Sequence, residues 1–173
     1  MITSKSESGA TARGQAGTVH PPIKSIQDAL TFQLAHLVAL NDRAGSHLFK
    51  QLYNLSLNEW RVLGLTYALQ PVPLQEIRNI LLKDKGQLSR VVRELVSRGL
   101  ISNEQSPHDA RSQMLSLTEQ GTSLHDEVIA FTAERNEKVV SDLSREECEI
   151  FMQILQKVTR YNEGLIATMG NLK

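Results

Sequence analysis

The stretch Asp84-Lys85-Gly86-Gln87-Leu88-Ser89-Arg90-Val91-Val92-Arg93-Glu94-Leu95-Val96-Ser97-Arg98-Gly99-Leu100-Ile101 decides the fold. Leu88, Val91, Val92 and Leu95 stand at i, i+3, i+4 and i+7, the spacing of one helix face. Asp84 precedes that face as an N-cap, with Gln87 at the third helical position as its reciprocal partner. Gly99 stops the helix, because glycine takes the left-handed backbone that closes a C-terminus without a Cβ penalty. Beyond it the period changes. Leu100 to Gln105 and Gln113 to Leu117 are short extended segments around the polar turn Ser106-Pro107-His108-Asp109-Ala110-Arg111, which predicts a β-hairpin with a charged tip.

Working upstream, a short helix is expected over about Leu74 to Leu82, with Ile77, Ile80 and Leu81 facing inward. Pro71 and Pro73 end the helix before it, which opens at the capping box Ser56-Leu57-Asn58-Glu59 and carries Leu57, Trp60, Leu63, Leu65 and Leu69. A long helix is expected after Ser25, with Ser25 and Asp28 as a capping-box-like pair. Its stripe is Leu30, Leu34, Leu37, Leu48 and Leu52, long enough to pack on another long helix, including one from a second subunit. Downstream, Thr118 caps a helix with Leu124, Val128 and Phe131 on one face, and Ser144-Arg145-Glu146-Glu147 caps a last helix with Phe151, Leu155 and Val158 inward.

The expected fold class is therefore mainly α: a winged helix-turn-helix domain with a two-stranded β wing, plus long N- and C-terminal dimerisation helices. Residues 1–22 read as a mobile N-terminal tail, rich in Ser, Gly, Thr and Ala and too poor in apolar side chains to offset their ordering entropy. Residues 23–173 read as a single domain. Its dimerisation helices cover about 25–53 and 119–170, and its winged helix-turn-helix about 56–117.

The chain of 173 residues is 40% apolar and 5% aromatic, with zero formal net charge. The distribution of charge is more telling than its total. From Arg78 to Arg111 seven bases stand against four acids, whereas from Glu119 to Glu149 nine acids stand against three bases. A segment that meets phosphates needs positive charge only where the phosphates lie. The bland alternative, a solvated surface with fluctuating charge, stays open at this point.

The single cysteine, Cys148, permits no disulfide within the chain, and no metal-ligand spacing is present, so no metal or cofactor is expected. Five histidines and the scattered carboxylates form no recognised catalytic motif, so no catalytic residues and no enzyme are expected. The N-terminus has no apolar signal core and no apolar run is long enough to span a membrane, which points to a cytoplasmic protein with no membrane partner.

Two short helices joined tightly and followed by a hairpin place the second helix in a DNA major groove, with its N-terminal residues at base edges. Here the outward side chains are Lys85, Gln87, Ser89, Arg90 and Arg93, with Gly86 leaving room for close approach. Gln pairs with adenine and Arg with guanine, while Ser and Lys reach phosphates or bases. An amphipathic helix with a solvated basic face is the competing reading.

At these residues the chain resembles the MarR family of winged helix-turn-helix transcription regulators. The resemblance is carried by Leu88 to Ile101 with its Arg98-Gly99-Leu100-Ile101 ending, by Asp109-Ala110-Arg111, and by Leu117-Thr118-Glu119-Gln120-Gly121. It covers roughly residues 26–170. It implies that Arg111 is a wing-tip arginine entering the minor groove and that Asp109 holds it in place. Two positions depart from the pattern. Pro73 replaces a capping Ser or Thr, and Arg78 stands where a small residue is common, where it would contact a phosphate or alter packing.

The resemblance also implies a homodimer formed by the first and last helices, a palindromic operator in double-stranded DNA, and usually repression. It further implies a small-molecule effector, such as a phenolic acid, an aromatic carboxylate or its thioester, that releases the DNA. His36, Arg43 and His47 share one face of the long helix, away from the leucine stripe, and are candidate donors for such an anion, with Trp60 or Tyr53 as an apolar wall. Two alternatives remain: an oxidation-responsive regulator acting through Cys148, against which the flanking Glu147 and Glu149 argue, and a winged-helix module for protein contact alone.

Overall fold

The computed structural model describes residues 20–105 and 113–170. It divides into two compact units, 1–45 and 46–173.

In the first unit the chain makes a single 3-10 turn, Ile26–Asp28, before helix α1 (Leu30–Tyr53) starts. The Asp28 carboxylate accepts from the backbone N–H groups of Lys24 and Ser25 at 2.9 and 2.8 Å. Those two hydrogen bonds hold its pKa below the ordinary carboxylate value. The expected cap thus closes a short turn and not the long helix, which begins at Leu30 after the extended backbone of Ala29. Along the leucine stripe only Leu34 and Leu48 are half-buried, while Leu30, Leu37 and Leu52 are exposed.

The second unit holds the remaining elements: α2 (Leu57–Leu69), β1 (Val72–Pro73), α3 (Leu74–Leu81), α4 (Lys85–Ser97), β2 (Ile101–Gln105), β3 (Gln113–Leu117), α5 (Glu119–Val139) and α6 (Arg145–Gly170). The boxes at Ser56 and Ser144 form as read. Ser56 Oγ accepts from Glu59 N–H at 3.2 Å while Glu59 accepts from Ser56 N–H at 2.6 Å, and the Ser144 and Glu147 pair repeats this at 3.2 and 2.8 Å.

The hairpin is wider than the sequence indicated. The strands run antiparallel in the order β1-β3-β2, so a third, two-residue strand joins the wing. Val72 pairs with Leu115 across β1 and β3, and Asn103 pairs with Leu115 across β2 and β3. The sequence signal for β1 is masked because its two residues are Val and Pro between two helices, a stretch that reads as a turn. Gln70 supports the junction, its side-chain carbonyl accepting from Leu117 N–H at 2.7 Å.

Phe49, Leu55, Trp60, Leu63, Ile77, Leu88, Val92, Leu95, Leu100, Leu115 and Val128 make one buried core, with Leu124 and Phe131 packed against it. Ile77 is fully buried and Leu81 half-buried, but Ile80, expected inward, is 49% exposed. An eight-residue helix is little more than two turns, and its core contact is narrower than the stripe its periodicity suggests. Phe151 is likewise exposed, while Leu155 and Val158 are half-buried. Periodicity identifies the apolar face of a helix without naming what covers it.

The tightest constraint joins the end of α4 to the start of α5. Gly99 has φ +68° and turns the chain. Thr118 Oγ then donates to the Gly99 carbonyl at 2.6 Å and accepts from Gly121 N–H at 3.0 Å, and Thr118 N–H donates to the Leu100 carbonyl at 3.2 Å. A Cβ on Gly121 would lie 1.9 Å from that same Leu100 oxygen. Gly121→Ala should therefore destabilise the protein by about 3 kcal/mol through overpacking. Gly164→Ala, in open space on α6, should be neutral or stabilise by up to about 1 kcal/mol. Urea midpoints of the two variants test this, and equal midpoints would remove the constraint.

Candidate nucleic-acid interface

Helix α4 carries the candidate interface, and both of its faces are fixed by its sequence. Leu88, Val92 and Leu95 are buried and Val91 half-buried, so the opposite face points outward. On that face Lys85, Gln87, Arg90 and Arg93 are exposed and Ser89 is half-buried. The Arg93 Nε donates to the Ser89 carbonyl at 3.2 Å, which lays the guanidinium along the helix. Among the described residues none of Lys85, Arg90 and Arg93 is paired with a carboxylate. Their charge is therefore not neutralised locally and is available to an external anion.

The N-terminus of α4 is set by Asp84, whose carboxylate accepts from Gln87 N–H at 2.8 Å. The return bond from the Gln87 side chain, expected of a full box, is not made, and that side chain is exposed instead. A glutamine engaged in its own cap could not also read a base, so the half-formed box leaves it free for contact. A Cβ at Gly86 would approach the Asp84 carboxylate to 3.3 Å. The glycine thus relieves crowding against the cap as well as against any partner.

The turn between α3 and α4 passes through Leu82, which is 75% exposed and has φ +51°. A leucine in the left-handed region costs on the order of 1 kcal/mol. Arg78, half-buried on α3, donates from its guanidinium to Gln75 Oε1 at 3.0 Å. Asp109 and Arg111 lie outside the described residues, between the ends of β2 and β3.

The four candidate ligand residues are placed as follows. His36 is exposed and stacks on Phe32, with ring centroids 6.2 Å apart. Arg43 and His47 are exposed along α1. Trp60 is 9% exposed, packed between Phe49 and His125 with centroids 6.0 and 5.7 Å away. Tyr53 is half-buried against Phe131; burial, and then Glu127 and Glu134, push its hydroxyl pKa up. A shallow cavity of about 410 Å³ opens by Tyr53, Arg98, Leu124 and Glu127, and none of His36, Arg43, His47 and Trp60 lines it. Cys148 is half-buried in the first turn of α6.

Three residues escaped the sequence reading. His125 is buried, stacked on Tyr67 at 3.7 Å, and its Nδ1 lies 3.1 Å from Asp126 Oδ1. Its flanks, Leu124 and Asp126, give no hint of burial, because only the packing of α2 on α5 decides it. Glu59 does a second job beyond its box, and Arg98 points inward to meet it. Their separation of 39 residues leaves no local signal.

Among the described residues there is no cluster of metal-ligating side chains, and no helix is long and apolar enough to cross a membrane.

Comparison with known proteins bears on this architecture. The model of the MarR family matches residues 53–112, from the end of α1 to the residue before β3. The HTH-type transcriptional regulator MhqR of Bacillus subtilis (strain 168) is 31% identical over 120 residues, covering 69% of this chain and 81% of the relative. The crystal structure of a MarR/EmrR family transcriptional regulator from Acinetobacter sp. ADP1 superimposes with a TM-score of 0.74 at 24% identity, over 81% of this chain and 99% of that one. A crystal structure of an S. aureus MepR–DNA complex gives a TM-score of 0.69 at 21% identity, over 77% of this chain and 97% of that one.

Proposed function

The chain belongs to the MarR family of winged-helix transcription regulators, and we propose that it binds double-stranded DNA as a homodimer and represses transcription until a small molecule releases it. The observation that carries this reading is the outward face of α4, where Lys85, Gln87, Arg90 and Arg93 are exposed and no carboxylate among the described residues neutralises them. Lodged in a major groove about 12 Å wide, that face puts Gln87 and Arg90 at base edges. Lys85, Ser89 and Arg93 reach phosphates or bases, and Arg78 on α3 meets the backbone from the side. The wing adds Arg111 in the minor groove, where narrow A·T tracts attract a guanidinium, with Asp109 holding it.

Two subunits reading half-sites roughly 34–36 Å apart make the operator palindromic. The apolar side chains left exposed on the long helices support pairing of two copies. They include Leu37, Val38 and Leu40 on α1 and Phe151, Ile154, Leu165 and Ile166 on α6. Residues 23–173 act as one functional domain in this arrangement, in the cytoplasm.

The effector is a small aromatic acid or its thioester; the candidate anion donors are His36 and Arg43 in the first unit and His47 in the second, and the candidate apolar edge in the second unit is the rim of Trp60. A charge-assisted bond from Arg43 to a carboxylate supplies most of the orientation.

Three measurements test this reading. Fluorescence anisotropy against the intergenic DNA beside the protein's own gene should show tight binding that falls steeply with salt. Arg90→Ala should weaken it by roughly ten-fold or more, as expected for one lost base or phosphate contact. No binding at low salt would transfer the winged helix to a protein partner. Gel filtration at micromolar protein should give twice the chain mass, and a monomer would remove the dimer. In a screen of aromatic acids for DNA release, His36→Ala and Arg43→Ala should blunt the response without changing DNA affinity; an unaltered response would place the effector elsewhere.

A further inference from the structure

Arg98 lies in the basic segment and by sequence counts towards a DNA-facing charge. Its geometry gives it another task. It sits at the C-cap of α4, with its side chain 24% exposed, and turns away from the outward face. Its Nη1 donates to Glu59 Oε1 at 3.1 Å and to the Asn54 carbonyl at 3.1 Å. Glu59 is itself 8% exposed, and its other oxygen accepts from Ser56 N–H at 2.6 Å. One carboxylate thus caps α2 and receives Arg98, while Asn54, in the left-handed region at φ +50°, presents its carbonyl to the same guanidinium.

We propose that Arg98 is a positioning residue for DNA reading: with Glu59 and Asn54 it ties the C-terminal end of the recognition helix to the turn between α1 and α2, and it does not itself contact DNA. This rests on the DNA-binding reading above. The physical argument is preorganisation. Helix α4 is anchored along its length by Leu88, Val92 and Leu95, but these are apolar contacts, which fix depth better than direction. A short charge-assisted bond at the helix end is directional and sets the angle at which Gln87, Arg90 and Arg93 are presented. A helix already held at its docking angle has less disorder to lose on binding.

The proposal has a distinguishing sign. If Arg98 were a phosphate contact restrained by Glu59, neutralising Glu59 would release it and leave DNA binding equal or tighter. If Arg98 positions the helix through Glu59, the same change weakens binding. Glu59→Gln keeps one acceptor for the Ser56 N–H, so the α2 cap survives.

The experiment measures anisotropy with the same intergenic DNA over a series of salt concentrations. Its arms are the wild type, Glu59→Gln, Arg98→Ala, the double variant and Arg78→Ala. Each single change in the tie should weaken binding about ten-fold, the loss expected when one hydrogen bond to a charged group is removed. The double variant should be no weaker than the worse single one, since both break the same link. The salt slope should stay at the wild-type value in the tie variants and become shallower by about one in Arg78→Ala, the change that removes a backbone contact. In the free protein, amide exchange at Arg98, Gly99 and Leu100 should quicken in both single variants, which reports loosening without DNA.

A shallower salt slope for Arg98→Ala, or unchanged or tighter binding by Glu59→Gln, would overturn the positioning role and leave the DNA reading standing. Failure of the wild type to bind would overturn the DNA reading and the proposal with it. If Arg98→Ala does not fold, Glu59→Gln alone decides by its sign.

Discussion

The architecture depends on one close approach, the passage of the Gly121 backbone over the Leu100 carbonyl. No side chain fits there, since a Cβ would stand 1.9 Å from the oxygen. The Leu100 carbonyl accepts from Thr118 N–H, and the Thr118 hydroxyl bridges the Gly99 carbonyl and the Gly121 N–H. The start of α5 is therefore fastened to the turn in which α4 ends. Because β2 begins at Ile101 and β3 ends at Leu117, the same few atoms also close the base of the hairpin. Helix, wing and the following long helix converge on four residues, so the direction of one fixes the others.

This convergence explains why motifs that are weak singly become strong together. Arg98-Gly99-Leu100-Ile101 and Leu117-Thr118-Glu119-Gln120-Gly121 are the two halves of a single contact. Each satisfies the backbone groups of the other: the Gly99 carbonyl accepts from the Thr118 hydroxyl, the Leu100 carbonyl accepts from Thr118 N–H, and the Thr118 hydroxyl accepts from Gly121 N–H. An orphaned carbonyl at the buried Leu100 would be costly, and a threonine three residues before a glycine satisfies both ends at once.

Much of the fold was legible because its helix ends carry their own chemistry. Ser56 with Glu59, Asp84 before Gln87, Thr118 and Ser144 with Glu147 each cap the helix they were read to cap. Ser25 misled because its box closes one 3-10 turn: the Asp28 carboxylate accepts from Ser25 N–H as in a helical box, but the backbone bonds span three residues, from Asp28 N–H to the Ser25 carbonyl and from Ala29 N–H to the Ile26 carbonyl. Ile80 and Phe151 misled for a different reason: a stripe records which residues are apolar, and only the neighbouring elements record which are covered. For the candidate interface, the outward face of α4 followed from its inward face by elimination. The role of Glu59 did not, because a residue that completes a local motif gives no sign of also reaching 39 positions along the chain.

A formal charge of zero and a DNA-reading surface are compatible because charges act where they are unpaired. Counting bases along a segment treats Arg98 and Arg90 alike, yet the first faces a buried carboxylate at 3.1 Å and the second faces solvent. Burial of the Arg98–Glu59 pair carries a desolvation penalty that its hydrogen bonds offset only in good geometry, so its justification is directional as much as energetic. The exposed bases, in contrast, keep their hydration until an anion replaces it. The same residue type thus serves two ends on one helix, and the difference between them is set by Glu59 on α2, outside the segment in which the charges were counted.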